Sequence, residues 1–283
     1  MEAVQALAVP AVAHVSHYWT AENDGLSTRA QVAAGSGPYE STIPTAIADY
    51  SPVLTPQQSA DAEEAAAALA RFDSYASATL GPDNPALGPM SSILLRTESA
   101  SSSQIENLTV GAKQLALAEI DLTASTNART VVANVRAMQA AIDLADRLDE
   151  ASILTMHREL LAGQPGWEDH AGRYRGTLVW VGSSSISPRG ATHVGPQPEL
   201  VPGAMADLMA FVRREDLPVL VQTAVAHAQL ETIHPFTDGN GRTGRALVHA
   251  MLRSKGLTRN TLAPVSAGLL IATAAYGDAR TAC

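Results

Sequence analysis

Between Pro218 and Leu252 the sequence specifies a helix, an abrupt stop and a second helix. The stretch from Pro218 to Ile233 is long, apolar and helical in character. Pro235 cannot extend it, because proline lacks an N–H and its ring clashes with the preceding turn. His234 is therefore placed at the helix end, with the backbone turning away beneath it. Gly239, Asn240 and Gly241 then permit tight or left-handed backbone, and a helix resumes from Gly241 to Leu252. Any fold for this chain has to accommodate a glycine loop that opens onto a helix N-terminus.

That arrangement carries chemistry. Free amides and the positive end of a helix dipole favour phosphate, so Gly239, Asn240 and Gly241 are candidate phosphate ligands. Arg242 and Arg245 add guanidinium groups that match phosphate oxygens in pairs. Asp238 supplies one hard oxygen, enough for magnesium when nucleotide phosphates and water complete the shell. His234, with an ordinary pKa near 6.5, suits the role of general base toward a hydroxyl. Three other readings of the region are weaker. Gly239, Gly241 and Gly244 satisfy a dinucleotide fingerprint, but a helix precedes them where that fingerprint needs a strand. No Lys-Ser/Thr follows the glycines, so a Walker loop fails. His227, Glu231 and His234 share one helical face, yet they do not spell H-E-x-x-H, and His227 amid Ala224, Val225 and Ala228 reads as a hydrogen-bonded core residue.

Composition sets the surroundings. Hydrophobic residues are 46% of 283, aromatics only 4%, and alanine is frequent, which favours close-packed helices and a mainly α fold. Helices are expected over Gln57–Tyr75, through Ile93 to Leu95 and stopping near Ser99 and Ser101 to Ser103, over Ile105–Ile120 with a weakness at Gly111, over Asn127–Asp149, over Ser152–Leu161, and over Pro198–Arg214. Turns are expected at Gly81-Pro82 and at Asp83-Asn84-Pro85, with Gly163 ending the Ser152 helix. Between Gly172 and Pro198, two short strands around a long turn predict a β-hairpin in a helical protein. The first fifty-odd residues hold too many glycines and prolines for a long helix, and Tyr18, Trp19, Tyr39 and Tyr50 are expected to pin this arm by burial. The expected division is an N-terminal arm and helical region over 1–122 and a core over 123–283, with the hairpin at about 172–198 and the active loop at 234–245.

The net charge is −9 and the isoelectric point is near 5.3, which leaves no basic field to attract nucleic acid or an anionic membrane. The single cysteine, Cys283, excludes an internal disulfide or a thiolate metal cluster and fits a cytoplasmic setting. No apolar run reaches the roughly 18 residues of a membrane span. The apolar start Ala3 to Val15 has Glu2 and no basic residue ahead of it, unlike a secretory signal.

His234-Pro-Phe-Thr-Asp-Gly-Asn-Gly-Arg-Thr-Gly-Arg245 resembles the H-P-F-x-x-G-N-G-R-x-x-R signature of the Fic (filamentation induced by cAMP) family at every specified position. The resemblance extends from about Leu94 to Leu252, because Gly172-Arg-Tyr-Arg-Gly-Thr-Leu-Val-Trp-Val-Gly182 and Val194-Gly-Pro-Gln-Pro198 look like the family's hairpin flap. It implies a Fic-like helical bundle with a short flap, and an enzyme that moves AMP from ATP to a Tyr, Thr or Ser hydroxyl of a target protein or of itself. His234 would take the hydroxyl proton, Phe236 would anchor the loop, and Asp238 would hold Mg2+. Asn240 and the glycine amides would take phosphate oxygens, and Arg242 and Arg245 the β and γ phosphates. Thr192, His193 and Val194 would align the target by strand addition.

Ser102-Ser-Gln-Ile-Glu-Asn107 is similar to the family's inhibitory pattern, Ser/Thr-x-x-x-Glu-Gly/Asn, placed ahead of the core. By that resemblance Ser102 and Glu106 are inhibitory, with the Glu106 carboxylate competing for Arg245. Close relatives are associated with UMP, phosphate or phosphocholine transfer, or with AMP removal, and these stay open as alternatives beside a catalytically silent nucleotide-binding module. ATP and a hydroxyl-bearing target protein are the implied partners, with homodimerisation left open.

Overall fold

A computed structural model describes residues 11–80, 87–122, 125–162, 164–182, 184–272 and 276. The turns expected at 81–85, the helix end at Gly163 and the lone Cys283 lie outside these residues.

The chain begins with an arm. Strand β1 (Ala13–Trp19), helix α1 (Arg29–Gly35) and strand β2 (Gly37–Ile43) fold so that the strands pair antiparallel from Ala13 with Ile43 to Trp19 with Gly37. Thr28 starts α1 with a capping box closed by Gln31. Trp19 and Tyr39 do pack on neighbours, with ring centroids 6.2 Å apart and edge to face. Tyr18 is 71% exposed, so the expectation that it pins the arm fails: strand alternation turns it to the outer face.

Helices follow: α2 (Pro56–Leu80), α3 (Leu87–Ile105), α4 (Ala112–Glu119), α5 (Thr126–Asp143) and α6 (Glu150–Leu161). Side-chain caps mark three of these starts, with Thr55 and Gln58 closing a capping box at the head of α2. Ser125 accepts from the Ala128 amide at the head of α5, and Asp149 with Ser152 forms a capping box at the head of α6. The expected 127–149 helix is therefore broken, with a tight turn over Ala145–Arg147 between α5 and α6. The stretch read as helix from Ile105 is helical only beyond Gly111, which is the N-cap of α4.

The larger correction is α3. Serines 99 and 101–103 do not end it; the helix runs through them to Ile105. Ser103 donates to the Ser99 carbonyl at 2.8 Å, and Asn134 of α5 donates to the same carbonyl at 2.9 Å. Serine disfavours helix interiors because its hydroxyl competes for the backbone. Here the hydroxyl bonds one turn back and the serine face is buried against α5, so packing overrides propensity.

Strands β3 (Trp180–Val181) and β4 (His193–Val194) form the hairpin, only two residue pairs long. Then come α7 (Val201–Val212), α8 (Val219–Ile233), α9 (Asn240–Ser254) and α10 (Val265–Ile271). The core lies between α5, α6, α7, α8 and α9, where Met138, Met156, Leu208, Leu230, Phe236 and Leu247 are fully buried. The chain is thus mainly α with a short hairpin, and its central helices α8 and α9 are the two that flank the glycine loop. No helix among the described residues is long and apolar enough to cross a membrane.

Candidate active site

α8 stops where proline requires it to. His234 caps it in the left-handed conformation, with φ 48° and ψ 60°, unusual for a residue with a Cβ and held by its surroundings. The main holder is Arg175, which is buried. Its Nε donates to the His234 carbonyl at 2.7 Å, its Nη2 to the carbonyls of Pro196 and Ile233, and its Nη1 to that of Thr177. Its backbone N–H donates to the Pro235 carbonyl at 3.0 Å. Burial lowers the Arg175 pKa to about 10, countered by Glu199, which still leaves it charged at neutral pH.

A second holder is His157 on α6. Its ring stacks on Phe236 with centroids 3.7 Å apart. The Gly172 amide donates to Nδ1 at 3.0 Å, so the ring proton lies on Nε2, which donates to the Asp238 carbonyl at 3.0 Å. Burial pulls the His157 pKa down to about 4, and the ring is neutral at pH 7. Neither Arg175 nor His157 was marked out by the sequence; an arginine in a hairpin and a histidine on a helix carry no spacing that betrays their partners.

The Asn240 side chain is spent within the loop. Its Oδ1 accepts from the Phe236 amide at 2.9 Å and its Nδ2 donates to the Phe236 carbonyl at 2.8 Å, so the side chain closes the loop on itself. What residue 240 can offer a phosphate is its backbone N–H. α9 starts from Gly239 in the left-handed region at φ 81°, with no side-chain cap, and its first-turn amides are open to an anion. A Cβ at Gly239 would also meet Leu160 at 2.7 Å.

Two arginines on α9 differ in their surroundings. Arg242 is 4% exposed and its Nη2 donates to Asp238 Oδ2 at 2.8 Å. Its buried Nε and Nη1 have no hydrogen-bond partner among the described residues, the condition of a cation arranged for an anion. Arg245 is 1% exposed and already engaged: Nε donates to Ser102 Oγ at 2.8 Å, Nη2 to the Ser102 carbonyl at 2.8 Å and to Glu106 Oε1 at 3.0 Å. Burial disfavours the charge on Arg245, but Tyr276, Glu106 and Glu231 outweigh it and raise its pKa.

Glu106 reaches this position because α3 has just ended. Asn107 takes the left-handed conformation, φ 61°, and the Leu108 amide returns to the Ser103 carbonyl at 3.0 Å, a C-terminal turn that asparagine tolerates. A Cβ at Gly241 would run into the Glu106 carboxylate, so the two segments meet at a residue with no side chain.

A cavity of about 350 Å³ opens over this floor, lined by His234, Asp238, Gly239, Gly241 and Arg242, with Glu106 in its wall. Asp238 is 44% exposed, with Oδ2 on Arg242. One carboxylate fits magnesium only when phosphates supply further ligands.

The flap residues separate. Thr192 donates from its amide and its hydroxyl to the Val181 carbonyl, at 2.8 and 3.0 Å, and closes the hairpin. Val194 is buried opposite Trp180. His193 is the one whose ring meets the site, 5.9 Å from the His234 ring. The hairpin is in turn held by the arm. Trp19 packs edge-on to Trp180 at 5.2 Å and donates to the Ile186 carbonyl, while Ser187 and Arg189 donate to the carbonyls of Gly35, Ala34 and Ser36.

In a helical bundle with a short hairpin, a loop thus joins a left-handed histidine to an uncapped helix start, the kind of end that can receive an anion. The Fic/DOC family profile matches residues 147–252, and the Fic/DOC family N-terminal profile matches 59–143; the chain belongs to the Fic/DOC family. It is 34% identical over 115 residues to protein adenylyltransferase fic-1 of Caenorhabditis elegans, covering 39% of this chain and 20% of that protein. To protein adenylyltransferase Fic of Nematostella vectensis it is 37% identical over 107 residues, 37% of this chain and 22% of that protein. The match thus spans about a fifth of the length of these relatives. In fold, it is similar to a Fic family protein from Desulfovibrio desulfuricans G20, with a TM-score of 0.57 and 24% identity over 81% of this chain and 69% of that one. Residues 134–508 of Caenorhabditis elegans Fic-1 give a TM-score of 0.56 and 22% identity, over 80% and 66%.

Proposed function

We propose that the chain is a protein adenylyltransferase that moves AMP from ATP to a Tyr, Thr or Ser hydroxyl, and that Glu106 holds it inactive. The observation that carries the reading is the meeting, on one cavity, of His234 with the uncapped start of α9 and the two unpartnered nitrogens of Arg242. Relatives named protein adenylyltransferases support the choice of AMP.

His234 Nδ1 lies 3.3 Å from the Glu231 carbonyl; with the proton there, Nε2 keeps the lone pair that takes the hydroxyl proton. The hydroxyl oxygen then bonds to the α-phosphorus, the bond from that phosphorus to the bridging oxygen breaks, and pyrophosphate leaves. Amides at the head of α9 and the Arg242 guanidinium hold phosphate oxygens and stabilise the charge that develops. Asp238 would hold a magnesium ion, which when bound neutralises phosphate charge. Arg245 would hold the γ-phosphate once Glu106 withdraws; while the carboxylate stays, the triphosphate cannot seat fully, and a misplacement of about 1 Å costs roughly a hundredfold in rate.

ATP labelled at its α-phosphate, given with magnesium and a cell lysate, tests this. Label should enter protein weakly with the parent chain, strongly with Glu106→Gly and not at all with His234→Ala. Equal labelling by all three contradicts the proposal.

A further inference from the structure

A second cavity, of about 210 Å³, lies between α3, α5, the last turns of α9 and the segment that leads to α10. It shares no lining residue with the cavity over the glycine loop. Its walls are held by buried carboxylates. Asp73 of α2 accepts from the amides of Asn260 and Thr261, at 2.8 Å each, and from the side chains of both, which fixes the connecting segment. Glu98 of α3 is fully buried, and its Oε1 meets His249 Nε2 at 2.7 Å. The same oxygen already accepts from the amide and hydroxyl of Ser266, so His249 is the donor and carries a proton on Nε2.

Two polar atoms are left facing the space. His249 is 3% exposed and Thr258 5%, and both line the cavity. His249 Nδ1 and Thr258 Oγ1 have no hydrogen-bond partner among the described residues, yet keep accessible surface. Such atoms are unfavourable in a protein interior unless something bonds them. Arg253 stands one turn beyond His249, which sets the two side chains next to each other on one face of α9. Its Nη1 donates to the Arg259 carbonyl at 2.8 Å, its other guanidinium nitrogens have no partner among the described residues, and it is the one arginine or lysine in the lining. Leu95, Ile142 and Leu262 make the apolar side.

Each of these groups restricts what can bind. A guanidinium matches a carboxylate through paired hydrogen bonds. A phosphate would bring about two negative charges near pH 7 against one arginine, with the Glu98 carboxylate directly behind His249. His249 Nδ1 offers a lone pair when the ring holds one proton and an N–H when it holds two, and a hydroxyl bonds to either. The volume is below the roughly 300 to 1,000 Å³ of drug-sized sites, so the hydrocarbon part has to be short.

We propose that this cavity binds a small 2-hydroxy acid with a short branched apolar body. Its carboxylate would lie on Arg253 and Thr258, its hydroxyl on His249 Nδ1, and its hydrocarbon against Leu95, Ile142 and Leu262. Bound there, it bridges α3 and α9, the helices that also meet where Ser102 holds Arg245, and steadies α3 in the position from which Glu106 reaches that arginine.

Calorimetric titration of the full chain with 2-hydroxy-4-methylpentanoate tests the proposal. One saturable site with a Kd of about 1 mM or tighter is expected. On the same chain, 4-methylpentanoate lacks the hydroxyl and 2-hydroxy-4-methylpentanamide lacks the charge. Each should bind about tenfold more weakly, the scale of one lost hydrogen bond. Arg253→Gln, at a half-buried position, should weaken the hydroxy acid by about tenfold or more and Thr258→Val by several fold, and amide exchange across α3 should slow when the hydroxy acid is bound. No saturation by about 10 mM, equal binding of acid and amide, inorganic phosphate bound as tightly as the hydroxy acid, undiminished affinity in Arg253→Gln, or unchanged exchange in α3 overturns the proposal. None of these outcomes bears on the adenylyl-transfer reading, which labelling tests separately.

Discussion

Glu106 Oε1 lies 3.0 Å from Arg245 Nη2, across the gap between the end of α3 and the first turns of α9. Arg245 is also tied to Ser102 through Nε and Nη2. The guanidinium that the phosphate loop would turn toward a nucleotide is thus turned toward the chain's own helix. A carboxylate and a terminal phosphate present the same kind of oxygen pair, so under the proposed function the contact would set an internal anion against an external one.

Arg245 consequently serves stability as well as its proposed part in binding. Arg245→Ala removes two hydrogen bonds to Ser102 of α3 and one to Glu106 just beyond it and should lower the unfolding free energy by about 3 kcal/mol, the range for hydrogen bonds of a buried charged group. Arg245→Lys should lose less. Urea titration reads the difference, and amide exchange should show α3 loosening most between Glu98 and Glu106. Stability equal to the parent contradicts the anchoring role.

Arg175 predicts a loss of rate without loss of nucleotide. Its substitution by alanine leaves the carbonyls of Ile233, His234 and Pro196 without their donor and frees the left-handed turn at His234. In the Glu106→Gly background, kcat should fall about a hundredfold, the cost of displacing a reacting group by roughly 1 Å, while calorimetry shows ATP affinity within a few fold. Affinity and rate falling together would place Arg175 in nucleotide binding.

His157 predicts a pH signature. Its folded pKa is about 4 against an ordinary 6.5, so the unfolded chain binds a proton that the folded chain refuses. The contribution is complete above pH 6.5, falls as pH drops through that value, and levels off below about pH 4. The slope is about 1.4 kcal/mol per pH unit within that window. Between pH 7 and pH 5 the parent should lose about 2 kcal/mol more stability than His157→Gln. Equal losses, read by urea titration at the two pH values, would contradict the buried neutral ring.

What could be read from the sequence follows from how local each feature is. Pro235 stops α8 and Gly239 starts α9 through their own backbone restrictions, so the loop was legible residue by residue. The serines of α3 were misread because their helix is held by Asn134, more than thirty residues away, and no local rule contains that bond. Asn240 was read as part of a loop of inward-pointing amides; that its side chain closes on Phe236 is a property of the folded loop. The strands of the arm were hidden by Gly37 and Pro38, which read as punctuation, while pairing with β1 makes them a strand.

The flap depends on that arm. A hairpin of two residue pairs is too short to hold itself, and Trp19 and Arg189 tie it to β1 and α1. Trp19→Ala with Arg189→Ala should raise the KM for a protein acceptor at least several fold and leave ATP affinity unchanged. Limited proteolysis should find new cleavage within 182–192. An unaltered KM and cleavage pattern would show the flap to be self-supporting.

The central claim is that His234 directs AMP to a hydroxyl once Glu106 is removed. Intact-mass spectrometry of the Glu106→Gly chain after incubation with ATP and magnesium tests it most directly, with the Glu106→Gly, His234→Ala double variant alongside. The account predicts a gain of one or more AMP units in the single variant and none in the double. A gain of phosphate, no gain in the single variant, or the same gain in both would contradict it.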